Sequence, residues 1–132
     1  MSKTILTLLL AVVTSSATAE WVEFGTTTMS NGYATAFINT DTIRRDGSMV
    51  KMWVLYNLKT PKQLEKITYQ SYMGQDEFDC QKERSRTLSI LLYAGKMGRG
   101  DAIDTYSTPT DWEPIAPSSM AAQLWRYACS KK

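Results

Sequence analysis

The sequence predicts an α+β fold, in which a single antiparallel β-sheet of about five to six strands carries one C-terminal α-helix on one face. Three observations predict it. From residue 20 to residue 106, short runs of alternating apolar and polar residues are separated by turn signals. From residue 118 the apolar residues instead recur with the period of a helix. Two cysteines, Cys80 and Cys129, can tie the helix to the sheet by a disulfide bond.

The first 19 residues are typical of a signal peptide. Lys3 precedes an apolar run over residues 5–13, and Ala17 and Ala19 supply the small-residue pattern that a signal peptidase cleaves. The apolar run is far shorter than the roughly 20 residues of a membrane-spanning helix, so a retained membrane anchor is the less favoured alternative. We therefore expect residues 1–19 to be removed, leaving a single domain over residues 20–132. This domain is expected in the periplasm, on the cell surface or secreted, without membrane insertion.

The first half of the mature chain predicts three strands. Residues 20–24 alternate and lead into a loop at residues 26–30, and after a turn at Asn31 and Gly32 a second strand covers residues 33–38. A turn or short helical entry follows. A hairpin turn then leads into a third strand over residues 49–59, which Pro61 should end because proline cannot donate to a β-ladder.

The second half predicts a long hairpin, a short strand and the helix. Residues 67–80 and 84–94 form the hairpin, and residues 101–106 form a last strand. Ser118, directly after Pro117, is expected to cap the helix. The apolar stripe of this helix consists of Met120, Leu124, Tyr127 and Ala128, and its positively charged end carries Lys131 and Lys132.

Charge pairing predicts the register of the long hairpin. If Asp79 faces Arg84, then Glu77 faces Arg86, and both opposite-charge pairs lie on one face. Glu77 and Asp79 would lie roughly 7 Å apart, a separation at which two carboxylates serve as acid and base in glycoside hydrolysis. The two arginines would hold both carboxylates ionised, so we expect a structural role. A carboxylate-dependent hydrolase is the least favoured alternative.

The same register leaves an apolar surface away from the helix. It places Met73 opposite Ile90 and Ser71 opposite Leu92, whereas Cys80 points to the other face, over which the disulfide holds the helix. Strands that are apolar on both faces need two covers, so loops or a second subunit must supply the second one. We therefore predict a homodimer through the sheet, with the candidate interface residues Trp53, Leu55, Leu88, Ile90 and Leu92.

The pairing of Cys80 with Cys129 is favoured because an even number of cysteines in an exported chain is typically bridged. The bond closes a loop of about 50 residues, which contributes on the order of 4 kcal/mol in the chain-entropy model. That is a large part of the net stability of a domain of this size. The disulfide is therefore expected to be structural.

Composition excludes several classes of function. The chain of 132 residues has no histidine, which rules out His-dependent triads and His-ligated metal sites. Its 15 basic and 13 acidic residues give a net charge of +2, which is too balanced for strong attraction to nucleic acid. We expect no enzyme activity, no cofactor, no metal and no nucleic-acid partner. Four tryptophans and seven tyrosines suit contacts with a protein partner.

Several segments, in order along the chain, resemble one known family. They are AEWVE, IRRDG, VKMWVLY, EFDC, YAGKMG, WEPIAP and YAC, at residues 19–23, 43–47, 50–56, 77–80, 93–98, 112–117 and 127–129. Together they extend over nearly all of the mature chain. In these segments the sequence is similar to the surface-adhesin protein E family of small exported bacterial proteins.

The resemblance implies an antiparallel sheet flanked by a C-terminal helix, a bridged cysteine pair, dimers, and non-enzymatic binding to proteins of a host surface. It makes adhesion to host surface or matrix proteins the leading functional hypothesis. The alternative is a periplasmic protein that binds a bacterial partner, or inhibits an enzyme there, without any role at a host. The matching residues predict turns, core and disulfide, so the resemblance assigns no binding residue.

Overall fold

Antiparallel strands form one eight-stranded sheet in the computed structural model, which describes residues 20–29 and 32–130. Six strands follow the order β1-β2-β4-β5-β6-β7, with β3 beside β4 and β8 beside β6. Their bounds are β1 Val22–Met29, β2 Gly32–Ile38, β3 Arg44–Asp46, β4 Met49–Leu64, β5 Ile67–Asp79, β6 Arg84–Tyr93, β7 Ala102–Tyr106 and β8 Glu113–Pro114. The helix α1, Met120–Ser130, and two short 3₁₀ turns, Thr40–Thr42 and Lys96–Gly98, complete the described elements.

The predicted fold class is confirmed, although the sheet has more strands than expected. The two additional strands, β3 and β8, have three and two residues, too few to show an alternating pattern in the sequence. The predicted signal peptide at residues 1–19, the turn residue Asn31 and the final Lys131 and Lys132 lie outside the described residues. No helix within the described ranges is long and apolar enough to span a membrane.

The hydrophobic core lies between α1 and one face of the sheet, which we call the helix side. Strand β4 contributes Val50, Met52 and Val54, which alternate in sequence and therefore point to the same face. Leu124 and Ala128 of α1 pack on them, four residues apart as the predicted stripe requires. All five residues are buried. The core is thus built by the two periodicities that the sequence shows.

A disulfide bond joins the end of the β5 segment to the end of α1, as predicted. The Sγ atoms of Cys80 and Cys129 lie 2.04 Å apart. Nearby, the indole Nε1 of Trp125 donates a hydrogen bond of 2.9 Å to the carbonyl oxygen of Asp79. A covalent bond and a hydrogen bond therefore fix the helix to the same corner of the sheet.

The cap of α1 lies one residue later than predicted, at Ser119. The Ser119 hydroxyl accepts a hydrogen bond of 3.1 Å from the backbone N–H of Ala122 and donates one of 2.6 Å to the carbonyl oxygen of Ala116. Ser118 has a φ of 64°, in the left-handed region, whereas a capping residue is extended. Because Pro117 and Ser118 form a turn, the predicted cap at Ser118 was wrong by one residue.

Two strands are longer than expected. β1 continues through the threonines to Met29, where a loop was predicted, because β-branched threonine suits an extended strand. β4 continues through Pro61 to Leu64, although proline was expected to end it. Pairing between β4 and β5 is irregular from Asn57 to Lys62, so Pro61 lies where the missing N–H breaks no regular ladder.

The β5–β6 hairpin has its predicted register near the turn and a different register beyond it. Asp79 pairs with Arg84 and Glu77 with Arg86, as expected. Leu88 then forms a β-bulge, an extra residue on β6 without a partner on β5. Every pair beyond the bulge is shifted by one residue, so the side chains of β6 change face relative to the prediction.

Because of the bulge, two candidate interface residues lie on the opposite face of the sheet from the one predicted. Ile90 and Leu92 lie on the helix side, and their partners are Gly74 and Tyr72, not Met73 and Ser71. Residues 90–93 are all apolar, so an alternating pattern does not distinguish one register from the other. The two predicted pairs were wrong for this reason.

A loop covers part of the opposite face, which we call the loop side. Ser71 is fully buried there, and its hydroxyl donates a hydrogen bond of 2.6 Å to the carbonyl oxygen of Gly95. The same hydroxyl accepts a hydrogen bond of 2.9 Å from the N–H of Gly98. The loop at residues 95–98 lies over Leu55, which has no exposed surface. A loop therefore supplies part of the second cover that the apolar strands require.

Candidate functional site

A cleft of about 490 Å³ opens on the helix side of the sheet, where α1 leaves the strands uncovered. We call it the helix–sheet cleft. Strands β4, β5 and β6 form its floor, and α1 and β1 contribute to its walls. The lining residues used below are Tyr56, Tyr72, Asp76, Thr87, Ile90 and Leu124. A cleft of this volume is large enough for a small organic ligand.

The alternation of side chains along the strands determines which residues form the floor of the cleft. Tyr72, Gly74 and Asp76 are two residues apart on β5 and therefore point to the same face. Tyr56 of β4 pairs with Tyr72, and the two rings stack with centroids 4.9 Å apart. Tyr69 meets Tyr72 edge to face at 6.3 Å. Gly74 carries no side chain, so a gap remains between the tyrosine rings and Asp76.

Asp76 places a carboxylate at the floor of the cleft. Its Oδ1 accepts a hydrogen bond of 2.9 Å from the hydroxyl of Thr87 on β6. Burial raises the pKa of Asp76 from 3.8 to about 6, and the hydrogen bond from Thr87 only partly opposes this effect. A carboxylate with a raised pKa in a cleft is a candidate for ligand binding, because a cation there would replace the lost hydration.

The remaining titratable groups of the cleft are phenols and one ammonium. Burial, followed by the charge of Asp76, raises the pKa of Tyr56. The pKa of Tyr72 is also raised, by burial first and then by Tyr69 and Asp76. Both phenols are therefore neutral at physiological pH. Lys62 of β4 lines the cleft as well.

Glu77 and Asp79 lie on the loop side, away from the cleft, and have arginine partners as predicted. Arg84 Nε lies 2.9 Å from Asp79 Oδ2, and Arg86 Nη2 lies 2.8 Å from Glu77 Oε1. The ring of Trp112 faces both guanidinium groups, each 4.5 Å from the ring centroid. The two carboxylates are therefore part of a stacked ion-pair cluster, which suits a structural role.

Hydrogen bonds keep Asp79 ionised. Burial alone would raise its pKa, but the bonds from Arg84 and from the backbone N–H groups of Gln81 and Lys82 outweigh burial and hold the pKa below its usual value. A carboxyl group with a lowered pKa is a poor general acid. Within residues 20–29 and 32–130, no three acidic or cysteine side chains are grouped as a metal site.

The five candidate interface residues do not share one surface. Trp53 and Leu55 lie on the loop side, but Leu55 is buried beneath the loop. Ile90 lines the helix–sheet cleft, and Leu92 is buried on the helix side. Leu88 is the bulge residue. Of the five, half-buried Trp53 is the residue that keeps both the predicted face and a partial exposure.

The hydrolase alternative predicted from the sequence concerned Glu77 and Asp79, and it assigned no role to Asp76. The strand pattern could have predicted where its side chain points. Asp76 directly precedes Glu77 on β5, so it points to the opposite face, which it shares with Phe78 and Tyr72. A single carboxylate on an apolar strand face, next to two tyrosines, is an expected marker of a polar cleft.

The model of one protein family, described as surface-adhesin protein E, matches residues 21–130. The chain belongs to the surface-adhesin protein E family. This confirms the resemblance seen in the sequence. The matched residues run from the start of β1 to the end of α1, so the helix–sheet cleft lies within the family domain.

Solved structures of a family member share the fold. Crystal form II of Haemophilus influenzae protein E matches with a TM-score of 0.60 at 14% identity, over 90% of this chain and 97% of that chain. Protein E from non-typeable Haemophilus influenzae matches with a TM-score of 0.61 at 14% identity, over 93% of this chain and 83% of that chain. At this identity the likeness concerns the fold. A sequence search of curated proteins finds no match.

Proposed function

We propose that the mature chain is an exported, non-enzymatic binding protein that attaches to host surface or matrix proteins. Membership of the surface-adhesin protein E family over residues 21–130 carries this proposal. The proposal includes export by residues 1–19 and a homodimer through the sheet. The ion pairs of Glu77 and Asp79 agree with a non-enzymatic role, because arginines pair with the two carboxylates that a hydrolase would use.

The two edge strands offer surfaces that suit a protein partner. β1 and β7 end the main order of the sheet, and an edge strand can pair with a strand of another chain. Ile103 and Tyr106 of β7 are 40% and 42% exposed, and Val22 of β1 is 57% exposed. Exposed apolar side chains beside a free edge support strand addition as the mode of attachment.

Protease treatment of intact cells tests where the protein acts. An antibody to the mature chain follows its loss, and the treatment is repeated after the outer membrane is permeabilised. We expect loss on intact cells, which would place the chain outside. Loss only after permeabilisation would contradict adhesion and favour the alternative, a periplasmic protein that binds a bacterial partner or inhibits an enzyme.

A binding assay then tests the edge strands. The purified mature chain is applied to immobilised matrix proteins as wild type, as Tyr106→Lys and as Val22→Lys. Both substitutions place one positive charge at an exposed apolar position, but on opposite edges of the sheet. We expect one of the two charges to reduce binding at least fivefold, and the affected variant identifies the edge that attaches. Unchanged binding by both variants would contradict attachment through a strand edge.

A further inference from the structure

We propose that the helix–sheet cleft binds a small arylalkylamine, whose ammonium group pairs with Asp76 and whose ring lies among the apolar and tyrosine side chains of the cleft. This function is separate from the proposed attachment to proteins. It concerns the helix side of the sheet, whereas attachment concerns the strand edges.

Comparison with its neighbours on β5 identifies Asp76 as a carboxylate that needs a cation. Buried Asp79 and buried Glu77 each form an ion pair with an arginine. Among the described residues, the donor to Asp76 is the neutral hydroxyl of Thr87, and no basic side chain pairs with it. A carboxylate removed from water is stabilised by a positive partner. Because Asp76 borders an open cleft, a ligand can supply that partner.

The tyrosine rings favour an organic cation over a metal ion. Tyr56 and Tyr72 border the same cleft as Asp76, and the charge of Asp76 contributes to the raised pKa of both phenols. An ammonium group at Asp76 would share the cleft with these two rings, and aromatic rings attract organic cations. A metal ion instead requires several oxygen ligands, and Asp76 is the one carboxylate among the described lining residues.

The walls favour a ligand with an aromatic or aliphatic body. Ile90, Met120 and Leu124 line the cleft, and methionine adapts its shape to an apolar guest. Lys62, the charged lining residue besides Asp76, has no ion-pair partner in the described part of the chain. Its positive charge disfavours a second cationic group. The cleft therefore suits a monoamine better than a polyamine.

The pH dependence of binding follows from the titratable groups that face the ligand. Among the described lining residues these are Asp76, Lys62, Tyr56 and Tyr72, since α1, β1 and β6 contribute only apolar, serine and threonine side chains. Both tyrosines stay neutral between pH 5 and pH 8, because burial raises the pKa of each phenol. Asp76 is protonated as the pH falls through about 6. Amine binding is therefore expected to weaken severalfold from pH 7.5 to pH 5.

Titration with 2-phenylethylamine tests the proposal, with 2-phenylethanol as a neutral probe of similar shape and spermidine as a polyamine. Binding to the mature chain at pH 7.5 is followed by NMR shifts of the backbone N–H groups of residues 72, 76 and 87. We expect saturable binding of 2-phenylethylamine that is at least tenfold tighter than binding of either other probe. Asp76→Asn should weaken it at least tenfold, and Asp101→Asn, which removes a charge from an exposed bend, should not.

Several outcomes would overturn the proposal. Equal binding of 2-phenylethanol, or full binding by Asp76→Asn, would mean that the cleft takes apolar ligands without using the carboxylate. An equal loss in Asp101→Asn would indicate attraction to overall charge. Absence of binding at millimolar 2-phenylethylamine would also refute it. Asp76→Asn keeps an oxygen that can accept the Thr87 hydrogen bond, and a thermal melt confirms that the variant is folded.

Discussion

The hydroxyl of Thr87 donates a hydrogen bond of 2.9 Å to the carboxylate of Asp76, and this is the one side-chain bond to Asp76 among the described residues. Three residues further along the strand, Asp79 receives bonds from Arg84 and from two backbone N–H groups. The two aspartates therefore affect stability in opposite directions. Ionised Asp79 stabilises the fold, whereas ionised Asp76 opposes it.

Asp76→Asn is expected to stabilise the folded chain at neutral pH. The pKa of Asp76 is raised from 3.8 to about 6, so the folded state holds this proton more tightly than the unfolded chain. The resulting stability is fully present below pH 3.8 and is lost as the pH rises through about 6. At pH 7 the ionised carboxylate therefore lowers the free energy of unfolding of the wild type by up to about 3 kcal/mol. Urea unfolding at pH 7 and pH 4 measures the gain of the variant, which should shrink at the lower pH.

The control for this experiment is Asp101→Asn, for which we expect no stability difference beyond about 0.5 kcal/mol at either pH. Asp79→Asn should behave in the opposite way to Asp76→Asn. The pKa of Asp79 is lowered, so its contribution is present at neutral pH and is lost as the pH falls. If Asp76→Asn were less stable than the wild type at pH 7, the carboxylate would be satisfied and the cleft would need no external cation.

Loss of the disulfide should destabilise the chain by about 2–5 kcal/mol. Cys80→Ser combined with Cys129→Ser removes the bond without leaving a free thiol. The hydrogen bond from Trp125 to the carbonyl oxygen of Asp79 remains at the same corner, so the helix should stay docked at low temperature. Thermal unfolding followed by near-UV circular dichroism measures the loss, and an unchanged melting temperature would contradict a structural disulfide.

Ser71→Ala should release the loop that covers Leu55. The change removes both hydrogen bonds of the hydroxyl and leaves the N–H of Gly98 and the carbonyl of Gly95 without that partner. We expect a cost of about 1–3 kcal/mol. Faster hydrogen exchange at Gly98 would locate the effect. Ser89→Ala is the matched control, since Ser89 of β6 is half-buried on the loop side, as Ser71 is on β5, and has no side-chain bond among the described residues.

Much of the fold follows from local pattern. The helix stripe of Leu124 and Ala128 and the pairing of Asp79 with Arg84 were predicted from spacing or charge within a short segment. The disulfide was predicted because the chain has two cysteines. The bulge at Leu88 was not predicted. Its position depends on how β5 and β6 pair over their whole length. The apolar residues that follow it are compatible with either face of the sheet.

The candidate site was less predictable than the fold. The helix–sheet cleft forms beside the N-terminal part of α1, where Gly74 leaves the floor open, and both features depend on tertiary packing. Alternation could have assigned Asp76 to the helix side, but its partner Thr87 follows only from the correct strand pairing. The raised pKa of Asp76 results from burial, which the sequence alone does not measure.

The predicted homodimer through the sheet can be tested at Trp53. Leu55 is covered by the loop, so the interface would have to use the rest of the loop side, where Trp53 is half-buried. Burial of this side chain by a partner would stabilise a dimer, and Trp53→Glu would place an unpaired charge in the interface. Light scattering should give twice the mass of the mature chain for the wild type and the single mass for the variant.

Val22→Glu is the matched control for this measurement. Val22 is 57% exposed and pairs with Ile38, on the helix side, so a charge there should leave a dimer through the loop side intact. A wild type that scatters as a single chain at every concentration would refute the homodimer. A dimer that persists in Trp53→Glu but is lost in Val22→Glu would move the interface to the β1 edge, where strand pairing rather than side-chain packing would join the subunits.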